Sequence, residues 1–119
     1  MNIDQAIRQR GETIDEDNVM LDKAWRDMID ACVRDVPVAI AFVRNECTVE
    51  DMNFLSEVFD ELVRQTQSPE LTLAIVQASL RYQDFDKRYF LQVLDESVSV
   101  FGNHAVQSTY QEARKIASR

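Results

Sequence analysis

The sequence predicts an all-α fold of five to six helices, packed as a stack of helical hairpins or as an irregular bundle. Apolar residues recur at spacings of three and four along most of the chain from Asp17 onward. Helix-start signals near residues 49, 69, 87 and 104 follow one another closely, and short connections make neighbouring helices antiparallel. Two glycines and two prolines in 119 residues are too few for a turn-rich β fold.

Each element has its own signature. Residues 1–15 are weakly patterned: Asp4 can cap a short helix through Arg10, with Gly11 ending it, and a frayed terminus is the equal alternative. From Asp17, Leu21, Trp25, Met28 and Cys32 form a helical stripe that Ala24, Ile29 and Val33 widen, while Asp22, Lys23, Arg26, Asp27 and Asp30 fall mostly outside it. That helix stops near Asp35, because Pro37 lacks an amide hydrogen and pushes Val36 towards extended backbone. Pro37 then suits the first turn of a short helix, Pro37–Glu46, apolar almost all round from Val38 to Val43. A buried strand competes for so short an apolar run, but no second strand exists to pair with it.

Thr48 caps the next helix, with Asp51 as capping-box partner. This helix is expected to run unbroken to about Thr66, with Met52, Leu55, Phe59 and Leu62 inward. Ser68-Pro69-Glu70 is a second strong start signal, and Pro69–Tyr82 is apolar around most of its circumference, as a central buried helix should be. Asp84-Phe85-Asp86 is expected to form a turn, and Lys87–Phe101 a helix with Phe90, Leu94, Val98 and Phe101 on one stripe. Gly102 should end it in the left-handed conformation. Asn103 or its neighbour starts the last helix, with Val106, Tyr110, Ala113 and Ala117 inward and Lys115 and Arg119 at its negative end. The rhythm is similar to two or three irregular repeats of the HEAT type.

The length suits one domain, residues 1–119, whose core needs no covalent staples. Residues 1–18 are polar and lack the apolar stretch of a secretory leader, so a cytoplasmic protein is expected, with Cys32 and Cys47 as buried free thiols. The longest apolar run, Val36–Val43, is far short of a membrane span. A net charge of -8 with scattered basic residues disfavours nucleic-acid binding. Oligomeric state leaves no mark in the sequence.

Chemistry is sparse. The one histidine, His104, has no local partners for a triad, and Cys32, Cys47 and His104 lack zinc-ligand spacing. No catalytic residue, metal or cofactor is therefore expected. The nearest approach to a magnesium site is Glu57, Asp60 and Glu61 with Asp95 and Glu96. That arrangement is similar to all-helical nucleotide pyrophosphohydrolases, although their fuller glutamate pattern is not met. An acidic mimic of DNA of the phage type is a further alternative.

The segment Glu46–Ser68 carries Glu46, Glu50, Asp51, Glu57, Asp60 and Glu61, with no basic residue before Arg64. On one helix these acids would stand on a fixed surface. Glu57 and Glu61 are like charges four residues apart, which costs a few tenths of a kcal/mol, and Asp60 with Arg64 is the one compensating pair in reach. Tolerated repulsion points to a positive partner that supplies the missing charge, with a merely solvated charged helix face as the near-equal alternative.

Glu46-Cys47-Thr48, Leu55-Ser56-Glu57-Val58-Phe59-Asp60-Glu61-Leu62 and Thr66-Gln67-Ser68 together resemble a block found in small bacterial immunity proteins. These accompany polymorphic toxins, including those of contact-dependent inhibition systems. The resemblance implies a non-enzymatic inhibitor that neutralises a cognate toxin domain, often a basic nuclease, by occluding it in the cytoplasm. It places Ser56, Glu57, Asp60 and Glu61 on the exposed, partner-binding side and Leu55, Phe59 and Leu62 in the core. Charge and expected exposure extend the partner-binding set to Asp84, Asp86, Asp95 and Glu96.

Overall fold

The structure, a computed structural model, describes residues 1–117. Among them the chain forms eight α-helices and no strand: α1 (Ile3–Glu12), α2 (Asn18–Arg34), α3 (Val36–Asn45), α4 (Val49–Ser56), α5 (Phe59–Thr66), α6 (Pro69–Ser79), α7 (Asp84–Phe101) and α8 (His104–Ala117). The all-α class holds. The count exceeds five to six because the N-terminus is a full helix and the 48–66 segment is two.

Asn2, not Asp4, caps α1, through a capping box with Gln5. The helix runs past Gly11 to Glu12, and a β-carbon on Gly11 would stand 3.3 Å from the Phe54 ring. Its buried face is Ile3, Ala6, Ile7 and Arg10. An arginine completes the i, i+3, i+4, i+7 stripe, so a hydrophobic pattern that looks weak belongs to a docked helix. In α2 and α3, Asp17 and Asp35 each accept an amide hydrogen of the first turn. The apolar Val38–Val43 run is helical, as expected.

The expected continuous helix from Thr48 to Thr66 is broken. The Thr48–Asp51 capping box forms, but α4 ends at Ser56. Val58 takes φ -120° and ψ 14°, and α5 restarts at Phe59 without a side-chain cap. No glycine or proline marks this break. It lets Leu55, Val58 and Phe59 all be buried while Glu57 turns towards α1. Ser56, expected on the exposed side, is buried, and its Oγ donates to the Asn53 carbonyl at 2.6 Å.

Two further corrections concern α7. Asp84-Phe85-Asp86 is its first turn and not a loop, which sets two carboxylates at the positive end of the helix dipole. The reversal falls between α6 and α7, where the Tyr82 hydroxyl donates to the Cys47 carbonyl at 2.9 Å. Gly102 ends α7 in extended backbone (φ -74°, ψ 137°), not left-handed. It must be glycine for another reason: a β-carbon would lie 2.7 Å from the Val98 carbonyl oxygen and 3.0 Å from Val106 Cγ1.

The left-handed residue is Gln67 (φ 45°, ψ 40°), between α5 and α6. Its side chain compensates by bridging the distant α7–α8 corner. Nε2 donates to the Phe101 carbonyl and Oε1 accepts the Asn103 amide, both at 2.7 Å. Asn103 in turn accepts the Val106 amide and so caps α8. Arg119, expected at the far end of α8, lies outside the described residues.

One hydrophobic cluster draws on all eight helices. The most extensive packing joins α6 to α8, α1 to α2, α3 to α6 and α5 to α7. Three of these four pairings skip at least one helix. The Cα radius of gyration, 13.5 Å, is that of a folded chain of this length.

Candidate functional site

Helix α2 packs across α5, and between them, with Phe101 of α7 in its lining, lies a cleft of about 570 Å³. Its apolar lining is Trp25, Ile29, Val58 and Phe101; its charged lining is Asp22, Arg26 and Asp30 from α2 with Glu57 from the α4–α5 turn and Asp60 and Glu61 from α5. The α2 contribution follows from helical spacing. Asp22, Arg26 and Asp30 stand four residues apart on the polar face, and Trp25 and Ile29 form the adjacent row.

The acids of the cleft are not equivalent. Glu57 is tied inward: Arg10 donates Nε at 2.6 Å and a terminal nitrogen at 2.9 Å to its two oxygens, and the Trp25 indole N–H donates at 3.0 Å. Arg10 is only 6% exposed. Its guanidinium also meets Asp15 at 3.1 Å and lies 5.2 Å from the Phe54 ring centroid. The hydrogen bond to Glu57 raises the Arg10 pKa above its ordinary value against the opposing effect of burial, so the guanidinium stays charged.

Glu61 pairs with Arg64 at 2.5 Å and accepts from Gln65 at 2.8 Å. These contacts, the arginine's first, hold its carboxyl below the usual range. The expected Asp60–Arg64 pair is thereby replaced by an i, i+3 pair. Asp60 instead accepts the hydroxyl of buried Ser97 at 2.6 Å. Asp22 pairs with Arg26 at 3.2 Å, both side chains well exposed. Among the described residues, neither Asp30 nor Asp60 makes an ion pair.

The anionic surface is thus narrower than the expected stripe. Asp51 is used in a cap, Glu57 is neutralised from behind by Arg10, and Glu61 is neutralised at the surface. The structure brings together Glu57, Asp60 and Glu61 and leaves the other expected partner-binding residues elsewhere. Asp84 is exposed at the α6–α7 corner and pairs with Lys87 at 3.3 Å, with Asp86 half-buried in the same turn. Asp95 lines a shallow groove against Tyr110 and Arg114 of α8, and Glu96 is exposed on α7. Sequence reasoning missed Asp22, Trp25 and Asp30. The signal was present in the spacing of the α2 acids, but nothing in the sequence showed that α2 faces α5.

Among the described residues, no three acidic, histidine or cysteine side chains converge as metal ligands would. Cys32 and Cys47 are free and buried, and burial pushes both thiols up to about 12. No helix among these residues is long and apolar enough to cross a membrane. Compared with known families, with characterised proteins and with solved structures, the chain matches none.

Proposed function

We propose that the protein is a cytoplasmic immunity or inhibitor protein that binds a basic toxin domain and neutralises it by occlusion, with the α2–α5 cleft as the centre of its binding surface. The observation that carries this reading is the cleft itself. It combines an apolar lining with two acids, Asp30 and Asp60, that make no ion pair among the described residues. An aromatic and aliphatic centre ringed by charge is the anatomy of a protein-binding surface. A net charge of -8 draws a cationic partner in from a distance and speeds capture. The resemblance of the 46–68 block to bacterial immunity proteins points the same way.

Occlusion needs no chemistry from the inhibitor. Carboxylates of the cleft would pair with the lysines and arginines that a nuclease uses to hold phosphates, while the bulk of the bundle covers its substrate groove. The test is co-expression with the toxin domain encoded by the neighbouring open reading frame. The wild-type chain should co-purify with it and protect the host. Asp30→Lys with Asp60→Lys should abolish both while leaving the helical circular dichroism unchanged. Full protection by that variant contradicts the proposal.

A further inference from the structure

Helix α7 packs on α4, α5, α6 and α8, yet among the described residues nothing covers its outer face. Phe85 is 76% exposed, Tyr89 48% and Val100 71%. With Arg88, Gln92 and Glu96, all exposed, they fall within about 120° of one another around the helix axis. The stripe runs about 22 Å from Phe85 to Val100. Single apolar residues scattered over a surface are ordinary, but two aromatic rings one turn apart on a packed helix are the kind of anchor that interfaces use. Tyr89 is already held in place, since its ring meets that of buried Phe90 edge-to-face at 5.6 Å between centroids.

Charge along the stripe names the occupant. Asp84 and Lys87 pair with each other at 3.3 Å, which leaves Arg88 as the exposed cation of the N-terminal half. Glu96 is the acid of the C-terminal half, while Asp95 turns aside into the groove against α8. Among the described residues, neither Arg88 nor Glu96 makes an ion pair. The two lie at equal distances on either side of Gln92. A second α7 laid antiparallel and centred on Gln92 therefore brings Arg88 of each copy opposite Glu96 of the other, and Phe85 of each beside Val100 of the other. Every contact is then made twice about a twofold axis, as in an isologous dimer. Parallel pairing would oppose Arg88 to Arg88 and Glu96 to Glu96, which is unfavourable. A net charge of -8 makes copies of the chain repel each other in general, and on this stripe one acid is matched by one base.

We propose that the protein forms a symmetric homodimer through the outer face of α7, with the two α7 helices antiparallel. The dimer goes beyond the inhibitor reading and does not rest on it. Two single-helix faces bury less than a standard interface, so the dissociation constant should be on the order of 10–100 μM.

Sedimentation equilibrium of the full chain at physiological salt, from about 5 to about 500 μM, tests the dimer. The weight-average mass should rise from one chain towards two across that range. Phe85→Glu should weaken association at least about tenfold, with the helical circular dichroism unchanged because the residue is exposed. Arg88→Glu and Glu96→Arg should each weaken it about tenfold, since each sets like charges against each other twice across the axis. The double swap restores both pairs and should return the dissociation constant to within about twofold of the wild type. Rescue within one chain is excluded, because the two positions stand about 12 Å apart along the helix. A chain that stays monomeric at about 500 μM overturns the proposal and leaves the face to a different protein. A dimer indifferent to Phe85→Glu places the interface elsewhere and overturns it as well. Weakening in both single variants without rescue in the double swap contradicts the antiparallel pairing, and the proposal falls with it.

Discussion

At the scale of single residues, Arg10 and Arg26 show how position decides what an ion pair is worth. Both are arginines paired with a carboxylate one helix turn or one helix away. The Arg10 side chain is 7% exposed and its Glu57 partner 30%, whereas Arg26 and Asp22 are 67% and 62% exposed. Arg10→Ala removes one partner of a mostly desolvated pair and a ring contact, and should cost about 3 kcal/mol in urea denaturation. It should also change Trp25 emission, because Glu57 loses the contact that aims it. Arg26→Ala should cost less than about 0.5 kcal/mol in the same experiment, since water replaces the lost partner. Equal costs for the two would contradict the clamp that joins α1 to the α4–α5 turn. Phe59, 1% exposed, sits beside that turn, and Phe59→Ala should cost about 3–5 kcal/mol.

At the scale of elements, what was legible in the sequence followed local rules, and what was not depended on a distant partner. The caps at Thr48 and Ser68, the prolines opening α3 and α6, and the helical periodicity of α2, α7 and α8 are local, and they place these helices within a few residues. The break at Glu57–Val58 has no local cause. At the break, Glu57 is held by Arg10, 47 positions away, and neither residue announces the other. Helix α1 was obscured for the same reason, since its fourth inward position is a charged side chain whose counter-ion lies elsewhere. The corner after α7 is similar: glycine at position 102 reflects crowding by Val98 and Val106, and the left-handed backbone sits instead at Gln67. A glutamine tolerates that conformation because its amide ties two elements together. Gln67→Ala keeps the strained backbone and loses both bonds to the α7–α8 corner, so it should lower stability by about 1–3 kcal/mol. Gln67→Gly relieves the backbone and should lose less. The reverse order, measured by urea midpoints, would contradict the backbone strain at position 67, and an unchanged midpoint for Gln67→Ala would mean that the side-chain bridge contributes nothing.

At the scale of the whole molecule, charge and burial make separate statements. Burial keeps Cys32, Cys47, Tyr82 and Tyr110 neutral, with the two thiols and Tyr110 pushed up to about 12 and Tyr82 raised further. The unfolded chain releases these protons near the ordinary values, the folded chain only later. Stability is therefore full below about pH 9 and falls as pH rises towards about 12. The urea midpoint should drop between about pH 8 and about pH 10.5, and an unchanged midpoint would contradict the burial. Charge speaks for function, and most directly through where a basic partner lands. Hydrogen–deuterium exchange on the complex with the toxin domain would read that footprint. The account predicts new protection along α2 from Asp22 to Asp30 and along α5 from Asp60 to Gln65, with α3 and α8 unchanged. Protection confined to α3, α8 or the α6–α7 corner, with the α2–α5 cleft still exchanging freely, would contradict it.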